Sequence, residues 1–439
     1  MTERQSNIWH IPEGWEVKKL KDVITNAGDY GANAPAKPYI EGDTRYIRIT
    51  DIDDYGNLIP DDKVSIDESV AQNYLLEDND MLFARTGDTV GKSLLYKSTM
   101  GKAAYAGYLI KFSFDRTKIF PEYFNAIAKS DIFEAFKNSM KRVGAKPNIN
   151  SREYGTFTFP LPINLQEQKN IAAILSKVDE AITSVQASIS AAERLKKSLM
   201  QNLLTGRMKP DGTLRKDDEF YVDEKFGKVP KGWEVKKVGD VFDTYPTASY
   251  SRSKLLETGT CKYIHYGDIH TKFDTFLDIS NTELPYISDD MIKNFVFLKD
   301  GDIIIADTSE DYEGVGKLVE IKNIGNDKVI SGLHTLHIRS KSDELINGYK
   351  GYMFNEERVM LSLLKYVTGI KVYSISKSCL ARVLIPIPTK EEQKQIKSKL
   401  DSVNSIILQK KEEINTLERL KKSLMQNLLT GRVRIDNHK

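Results

Sequence analysis

The stretch ERLKKSLMQNLLTGR occurs twice, at Glu193–Arg207 and at Glu418–Arg432, with all 15 residues identical and a displacement of 225 positions. A match of this length does not arise by chance, so the chain carries an internal repeat. A repeat indicates that the fold is built from two similar halves. The two copies also open alike, because GWEVKK stands at Gly14–Lys19 and again at Gly232–Lys237.

Apolar residues lead into each 15-residue block at alternating steps of four and three. They are Ile171, Leu175, Val178, Ile182, Val185, Ile189 and Ala192 in the first copy, and Ile396, Leu400, Val403, Ile407, Ile414 and Leu417 in the second, where Lys410 interrupts the stripe. This spacing is a heptad seam and predicts two helices of about 38 residues, the first over Glu167–Leu204. Prolines mark the helix entries, and Gly206 and Gly431 predict left-handed C-terminal caps. Each seam must be buried against the other helix or against a partner.

The polar residues of the 15-residue block are as invariant between the copies as the apolar ones. Packing inside one chain tolerates exchanges, so we predict that a shared protein partner touches both blocks. Packing within the chain remains the alternative interpretation. The candidate partner-binding residues are Lys196, Lys197, Gln201 and Asn202 in the first block, and Lys421, Lys422, Gln426 and Asn427 in the second.

The segments between the repeated ends have diverged, although YIRITDID from Tyr46 still resembles YIHYGDIH from Tyr263, and DMLFA from Asp80 resembles DIIIA from Asp302. Short apolar runs alternate with turn residues there, which predicts mixed α/β (α+β) domains led by strands. The predicted organisation is a globular domain at 1–162, a long helix at 163–207, a surface linker at 208–229, a second globular domain at 230–388, a long helix at 389–432 and a tail at 433–439.

The charges are balanced overall but unevenly spread. The chain has 64 Lys and Arg against 62 Asp and Glu, a net charge of +2, so no global field indicates nucleic acid. Locally, residues 1–80 carry 8 basic and 17 acidic side chains, whereas residues 81–160 carry 13 and 6. Ala135–Arg152 and Arg358–Arg382 contain several cations and no acid. Both also hold short polar side chains, a mixture suited to phosphates and base edges.

The sequence lacks the motifs of several other classes of protein. Two cysteines, Cys261 and Cys379, exclude a disulfide framework and a four-cysteine zinc site, and the histidines lack zinc-ligand spacing. GDTVGKS at Gly87–Ser93 has three residues between its glycines where a phosphate-binding loop needs four. No complete methyl-transfer or nuclease constellation is present, so we expect no catalytic residues. Without a signal peptide or an apolar run of about 18 residues, we expect a cytoplasmic protein with no membrane segment.

The whole arrangement resembles the specificity subunit of Type I restriction-modification enzymes. The resemblance rests on PEGWEVKKLKDV at Pro12–Val23 and PKGWEVKKVGDV at Pro230–Val241, on DMLFARTGDTVGK at Asp80–Lys92, on a Glu-Gln pair at the start of each helix (Glu167 with Gln168, Glu392 with Gln393), and on the helix endings LLTGR. It covers nearly the whole chain.

The resemblance implies two target recognition domains, each reading one half of a split site in double-stranded DNA. It implies long helices that pair as an antiparallel coiled coil with pseudo-two-fold symmetry, two bound methylation subunits, and two restriction subunits in the full complex. S-adenosylmethionine, ATP and Mg would then be bound by those subunits, and the system would serve DNA methylation and phage defence. The alternative is a coiled-coil adaptor that binds proteins only and has no sequence preference on DNA.

Candidate DNA-binding residues follow from the basic segments and from the family's loop after Asp80. Arginines would offer bidentate contacts to guanine, and lysines would contact phosphates. They are Arg85, Thr86, Lys92, Lys141, Arg142, Lys146, Asn148 and Arg152 in the first domain, and Lys365, Lys371, Tyr373, Ser374, Ser376 and Lys377 in the second, with His334 as a further possibility. The second copy departs from this loop pattern, because it carries Asp307 where the first has Arg85.

Overall fold

The computed structural model describes residues 11–140, 147–292, 295–312 and 314–435. The chain divides into two compact units: unit 1 comprises Met1–Ala187 with Lys411–Lys439, and unit 2 comprises Ser188–Lys410. Each long helix therefore contributes one part to each unit. Within the described ranges, no helix is both long and apolar enough to cross a membrane.

Unit 1 is a mixed α/β domain built on two four-stranded sheets, of order β2-β9-β6-β7 and β3-β5-β4-β8, and a two-stranded sheet β1-β10. Its strands are β1 (Trp15–Lys19), β2 (Asp29–Tyr30), β3 (Lys37–Pro38), β4 (Arg45–Ile47), β5 (Val64–Ser65), β6 (Met81–Ala84), β7 (Ser93–Leu95), β8 (Ala103–Tyr105), β9 (Leu109–Phe112) and β10 (Thr158–Pro162). Its helices are α1 (Glu68–Ala71), α2 (Pro121–Ala128), α3 (Asp131–Ser139), α4 (Ser151–Gly155) and the first part of α5 (Leu165–Leu203).

Unit 2 repeats this plan around a five-stranded sheet of order β14-β22-β18-β20-β16, with a three-stranded sheet β17-β15-β21 and three strand pairs, β11-β12, β13-β24 and β19-β23. Its strands are β11 (Phe220–Asp223), β12 (Gly227–Pro230), β13 (Glu234–Lys237), β14 (Phe242–Tyr245), β15 (Cys261–Ile264), β16 (Phe276–Asp278), β17 (Tyr286–Ile287), β18 (Ile303–Ala306), β19 (Thr308–Ser309), β20 (Leu318–Lys322), β21 (Lys328–Ser331), β22 (Thr335–Ser340), β23 (Tyr373–Ser374) and β24 (Leu384–Ile387). Its helices are α6 (Val238–Val241), α7 (Tyr266–Thr271), α8 (Lys350–Phe354), α9 (Glu357–Leu364), α10 (Lys377–Leu380) and the first part of α11 (Lys390–Leu428).

The central strands and the opening strands of the two sequence copies correspond. The apolar run of β6 is fully buried between β9 and β7, as that of β18 is between β22 and β20. The opening motif forms β1 in unit 1 and β13 in unit 2, and each pairs with the proline-containing strand that enters the next long helix. The internal repeat predicted from the sequence is therefore a repeat of structure.

The long helices confirm the heptad prediction, each with 39 residues and hence a length of about 58 Å. The seam residues Ile171 and Leu175 are buried in unit 1 together with Met425 and Leu428 near the end of α11. In unit 2, Ile396 and Leu400 share a core with Leu203 at the end of α5. The start of one helix thus packs with the end of the other in both units, which is an antiparallel arrangement.

Glycine ends both long helices, as predicted. Gly206 and Gly431 have φ of +69° and +70°, in the left-handed region that a side chain disfavours. A Cβ at Gly206 would collide with the ring of Pro230, and one at Gly431 would collide with Pro12. Each cap therefore also lets the helix end approach the opening motif of a domain.

The stretch 208–229, predicted as a surface linker, is folded. It contains β11 and most of β12, paired as a hairpin, and Phe226 is buried in the core of unit 2. Arg215 within it forms an ion pair with Glu392. Turn residues and charges suggested a loop, but Phe226 shares a core with Leu203 at the end of α5, and Arg215 pairs with a mostly buried carboxylate.

The Glu-Gln pair at the start of each long helix anchors it to the globular part of its unit. In unit 1, Glu167 Oε1 accepts from the Trp15 indole at 3.1 Å, and both of its oxygens accept from Arg434, at 2.7 and 3.0 Å. The Gln168 amide donates to the carbonyls of Pro162 at 2.7 Å and Lys118 at 3.1 Å, and its oxygen accepts from Phe120 N at 2.7 Å.

Unit 2 repeats these contacts with its own residues. Glu392 accepts from the Trp233 indole at 2.8 Å and pairs with Arg215. Gln393 donates to the carbonyls of Pro388 and Glu344, at 2.9 and 2.8 Å, and accepts from Ile346 N at 3.0 Å. Each anchor thus ties together an opening motif, a helix start and the segment that follows the other helix.

We expect Glu392→Ala to lower the free energy of unfolding of unit 2 by about 3–5 kcal/mol, because it leaves the Arg215 guanidinium unpaired in a mostly buried position. The measurement is urea unfolding followed by far-UV circular dichroism. Glu391→Ala is the matched control, since Glu391 is exposed and, among the described residues, its side chain bonds only to Gln395 of the same helix. Equal midpoints for the two variants would contradict the anchoring role.

Candidate nucleic-acid interface

A short antiparallel pairing in unit 1 joins the segment after β6 to the segment before α4. Thr86 bridges Asn148, Ile149 N donates to the Arg85 carbonyl at 2.9 Å, and Gly87 N donates to the Pro147 carbonyl at 2.9 Å. We call 85–87 with 147–149 the unit 1 pairing. It brings together three of the predicted DNA-binding residues, Arg85, Thr86 and Asn148, which lie far apart in the sequence.

The Arg85 side chain lies over an aromatic ring and is incompletely hydrogen-bonded. Its guanidinium carbon is 5.0 Å from the ring centroid of Tyr30, and its Nε is buried with no hydrogen-bond partner among the described residues. The Tyr30 hydroxyl accepts from Ser151 N at 3.2 Å. Burial raises the pKa of Tyr30, but this hydrogen bond and the positive charge of Arg85 outweigh burial, so the pKa is lowered. A guanidinium can only donate hydrogen bonds, which suits a ligand rich in acceptors.

The other predicted residues of the first domain divide into three cases. Arg152 is exposed on α4, whose N-terminus is capped by Asn150 accepting from Glu153 N at 2.9 Å. Lys92 is not part of the unit 1 pairing: it is mostly buried and forms an ion pair with Asp54 at 3.1 Å. The structure thus gives Lys92 an internal partner. The residues Lys141, Arg142 and Lys146 lie outside the described residues.

Unit 2 contains the equivalent pairing, formed by β19 and β23. Thr308 pairs with Ser374 and Ser309 with Tyr373, while Ile375 N donates to the Asp307 carbonyl at 2.9 Å. We call 307–309 with 373–375 the unit 2 pairing. Ser376 then caps α10 by accepting from Cys379 N at 3.2 Å, and Lys377 is exposed at the first position of that helix.

Cations and apolar side chains are exposed on the turn that leads into β23. Thr368 and Ser374 close the turn through backbone hydrogen bonds of 3.0 and 2.8 Å, and Gly369 takes a φ of +134°. At its tip, Ile370 is 91% exposed and Lys371 is exposed beside it. Lys365, after α9, is exposed as well. The predicted Lys365, Lys371 and Lys377 are therefore all available to a polyanion.

A group of histidines borders the unit 2 pairing. His334 has a φ of +56°, and its Nδ1 lies 3.3 Å from Thr308 Oγ1 and 3.5 Å from Asp307 Oδ1. His270 Nε2 lies 3.0 Å from the Thr308 carbonyl. The ring of Tyr266 stacks edge to face on that of His334, at 5.3 Å between centroids. His334, the additional DNA-binding candidate from the sequence, thus belongs to this group.

Sequence reasoning missed several exposed side chains of these surfaces. Tyr108 is 60% exposed, and its carbonyl accepts from Arg85 N at 3.1 Å, as the His334 carbonyl accepts from Asp307 N at 3.1 Å. Tyr30 and Tyr266 were missed too. Only Tyr108 had a signal, because Gly107-Tyr108-Leu109 and Leu333-His334-Thr335 occupy the same place before strands β9 and β22.

The predicted partner-binding blocks have the same exposure in both units. Lys197, Gln201, Lys422 and Gln426 are exposed, and Asn202 and Asn427 each donate to a carbonyl of their own helix. Lys196 and Lys421 instead cross to the other helix: Lys196 Nζ is 2.9 Å from Asn404 Oδ1, and Lys421 Nζ is 2.6 Å from Asp179. These two lysines thus hold the helix pair together, in part, within the chain.

Comparison with known proteins matches both halves of the chain to one family. The model of the Type I restriction modification DNA specificity domain matches residues 12–194 and 230–419. The chain is 25% identical over 429 residues to the Type I restriction enzyme MjaVIII specificity subunit of Methanocaldococcus jannaschii, covering 97% of this chain and 95% of that protein. It is 26% identical over 450 residues to the putative MjaX specificity subunit of the same organism, covering 98% and 96%.

Solved structures support the fold. A chain from a study of complex assembly and conformational transition in the type I R-M system has a TM-score of 0.57 at 18% identity, covering 97% of this chain and 100% of that one. The S subunit of a Type I system from M. genitalium has a TM-score of 0.57 at 12% identity, covering 96% of each chain. With both halves matched and the fold shared, this chain belongs to the family of Type I restriction modification DNA specificity domains, of which it carries two.

Proposed function

We propose that this protein is the DNA-recognition subunit of a Type I restriction-modification complex and reads a bipartite target in double-stranded DNA. Each globular domain would read one half-site through the surface around its pairing of 85–87 with 147–149 or of 307–309 with 373–375. The observation that carries this proposal is the same backbone pairing, present in both units, with different side chains mounted on it. A constant frame with variable side chains suits two readers of unequal half-sites.

The identical helix blocks support the second part of the proposal, that the chain is a scaffold. Two copies of one surface would bind two copies of one partner, here a methylation subunit, in equivalent ways. The restriction subunits would join the same assembly in the cytoplasm. Methyl transfer, ATP use and strand cleavage would belong to those subunits, together with S-adenosylmethionine, ATP and Mg. This chain would contribute the choice of site.

We expect adenine methylation at a split motif in cells that express this chain with its methylation subunit. Replacing residues 230–388 by the corresponding domain of another specificity subunit should change one half of the motif and leave the other half as it was. The measurement is genome-wide mapping of methylated adenines. The reciprocal exchange of residues 11–162 is the matched control and should change only the other half.

A motif that both exchanges leave unaltered would contradict the proposal, because specificity would then lie outside this chain. An assembled complex with no sequence preference would favour the protein-only adaptor instead.

We expect replacement of Lys365, Lys371 and Lys377 by Gln to weaken DNA binding at every sequence. Each phosphate contact that is lost should reduce the slope of log affinity against log salt by about 0.9, because fewer counterions are released on binding. The measurement is a salt titration of fluorescence anisotropy with the assembled methylation complex and a non-specific duplex. Lys225→Gln, an exposed lysine in the turn between β11 and β12, is the control. An unchanged slope for the triple variant would remove these residues from the interface.

We expect Lys197→Glu with Gln201→Ala to reduce the number of bound methylation subunits from two to one. The same pair in the second block, Lys422→Glu with Gln426→Ala, should have the same effect, and all four changes should abolish binding. Native mass spectrometry of the co-expressed complex counts the subunits. Lys225→Glu supplies a control of equal charge change. Two subunits retained by the fourfold variant would show that the partner binds elsewhere.

A further inference from the structure

The two pairings hold one residue each in the same backbone environment. Arg85 N donates to the Tyr108 carbonyl at 3.1 Å and its carbonyl accepts from Ile149 N at 2.9 Å. Asp307 N donates to the His334 carbonyl at 3.1 Å and its carbonyl accepts from Ile375 N at 2.9 Å. Both residues directly follow the buried central strand of their sheet, β6 or β18. Arg85 and Asp307 are therefore structurally equivalent.

The hydrogen bonds on the opposite edge of each central strand, β6 or β18, also correspond. Ala84 N donates to the Lys92 carbonyl and Ala306 N to the Lys317 carbonyl, both at 2.8 Å. Gly91 N and Gly316 N donate back to the carbonyls of those same alanines, both at 3.0 Å. The backbone at the equivalent position is thus fixed by corresponding hydrogen bonds on each side, and it carries a different side chain in each domain.

The two side chains have opposite hydrogen-bonding character. Arg85 is a donor only, with Nε buried and without a hydrogen-bond partner among the described residues. Asp307 is an acceptor: its Oδ1 accepts from Thr308 Oγ1 at 2.7 Å, whereas no hydrogen bond from the described residues reaches its Oδ2. Its side chain remains 25% exposed. Since the Nε of Arg85 is buried, only its terminal nitrogens could reach a base, and the two side chains therefore offer groups of opposite hydrogen-bonding character at the same place in their domains.

Base edges in the major groove discriminate between these two kinds of side chain. Guanine presents two acceptors, O6 and N7, that match a guanidinium, whereas cytosine presents the N4 donor that a carboxylate accepts. We propose that this equivalent position determines one base in each half-site, with Arg85 selecting guanine and Asp307 selecting cytosine. The inference rests on the proposed function and adds to it a specific residue and base for each domain.

A negative charge near DNA phosphates needs neighbours that compensate for it. His334 and Thr308 face the Asp307 carboxylate directly, and Lys317 holds His270 beside them by donating to its carbonyl at 2.7 Å. Among the described residues, the carboxylate of Asp307 thus has one donor, the Thr308 hydroxyl, and beside it an imidazole ring that is positively charged when protonated. A base donor such as cytosine N4 would complete this set.

Methylation mapping with single variants tests the inference. Asp307→Ala should relax the requirement at one cytosine of the second half-site by roughly 5- to 150-fold in preference, with every other position unchanged. Arg85→Ala should relax one guanine of the first half-site in the same way. Asp307→Arg should convert the cytosine requirement to guanine. Glu310→Ala, which removes an exposed carboxylate from the same loop, is the matched control.

The outcomes separate the inference from the proposed function. If the unaltered protein gives no split motif, the proposed function itself fails. If it gives a split motif that the Asp307 and Arg85 variants leave unchanged, the inference alone is overturned. Loss of preference at all positions of a half-site would also overturn it, since the residue would then support the fold rather than read a base. Circular dichroism melting of each variant checks that its fold is retained.

Discussion

A carboxylate at the start of each long helix, buried in unit 1 and mostly buried in unit 2, is the contact around which each unit is assembled. A carboxylate loses several kcal/mol of hydration on burial unless charged or polar partners replace the water. Glu167 finds Trp15 and Arg434, and Glu392 finds Trp233 and Arg215. The need to satisfy one charge therefore forces an opening motif, a helix start and a segment after the other helix to meet.

The same constraint explains which parts of the sequence are repeated and which have diverged. Residues that build the anchors and helix caps recur in both copies, because each performs the same packing task twice. The side chains on the two pairings, Arg85 with Asn148 and Asp307 with Ser374, are not needed to maintain the backbone, which holds through peptide hydrogen bonds. They can therefore vary without cost to the fold, and variation there is what a pair of unequal readers requires.

The sequence predicted those features whose cause is local or repeated. The heptad steps from Ile171 gave the long helices, Gly206 and Gly431 gave their ends, and the matching runs DMLFA and DIIIA gave the central strands. Long-range contacts left no such signal. No sequence pattern predicts that Thr86 pairs with Asn148 or that Tyr30 lies beneath Arg85. Likewise, no pattern shows that Lys196 and Lys421 contact the opposite helix. The folded stretch 208–229 was missed because its charges and turn residues outnumber the few aromatic residues that pack.

The division of the chain between the units has a consequence for biosynthesis. Unit 2 is continuous, Ser188–Lys410, so all of its residues are synthesised before Lys411–Lys439. Unit 1 needs Lys411–Lys439 as well, and with it Arg434, the partner of a carboxylate made more than 260 residues earlier. The first domain to be synthesised is thus the last to be completed, because its core stays incomplete until Lys411–Lys439 has been made. A chain that stops at Lys410 would contain every residue of unit 2 yet lack the closing piece of unit 1, so the first domain cannot be completed until synthesis has passed the second.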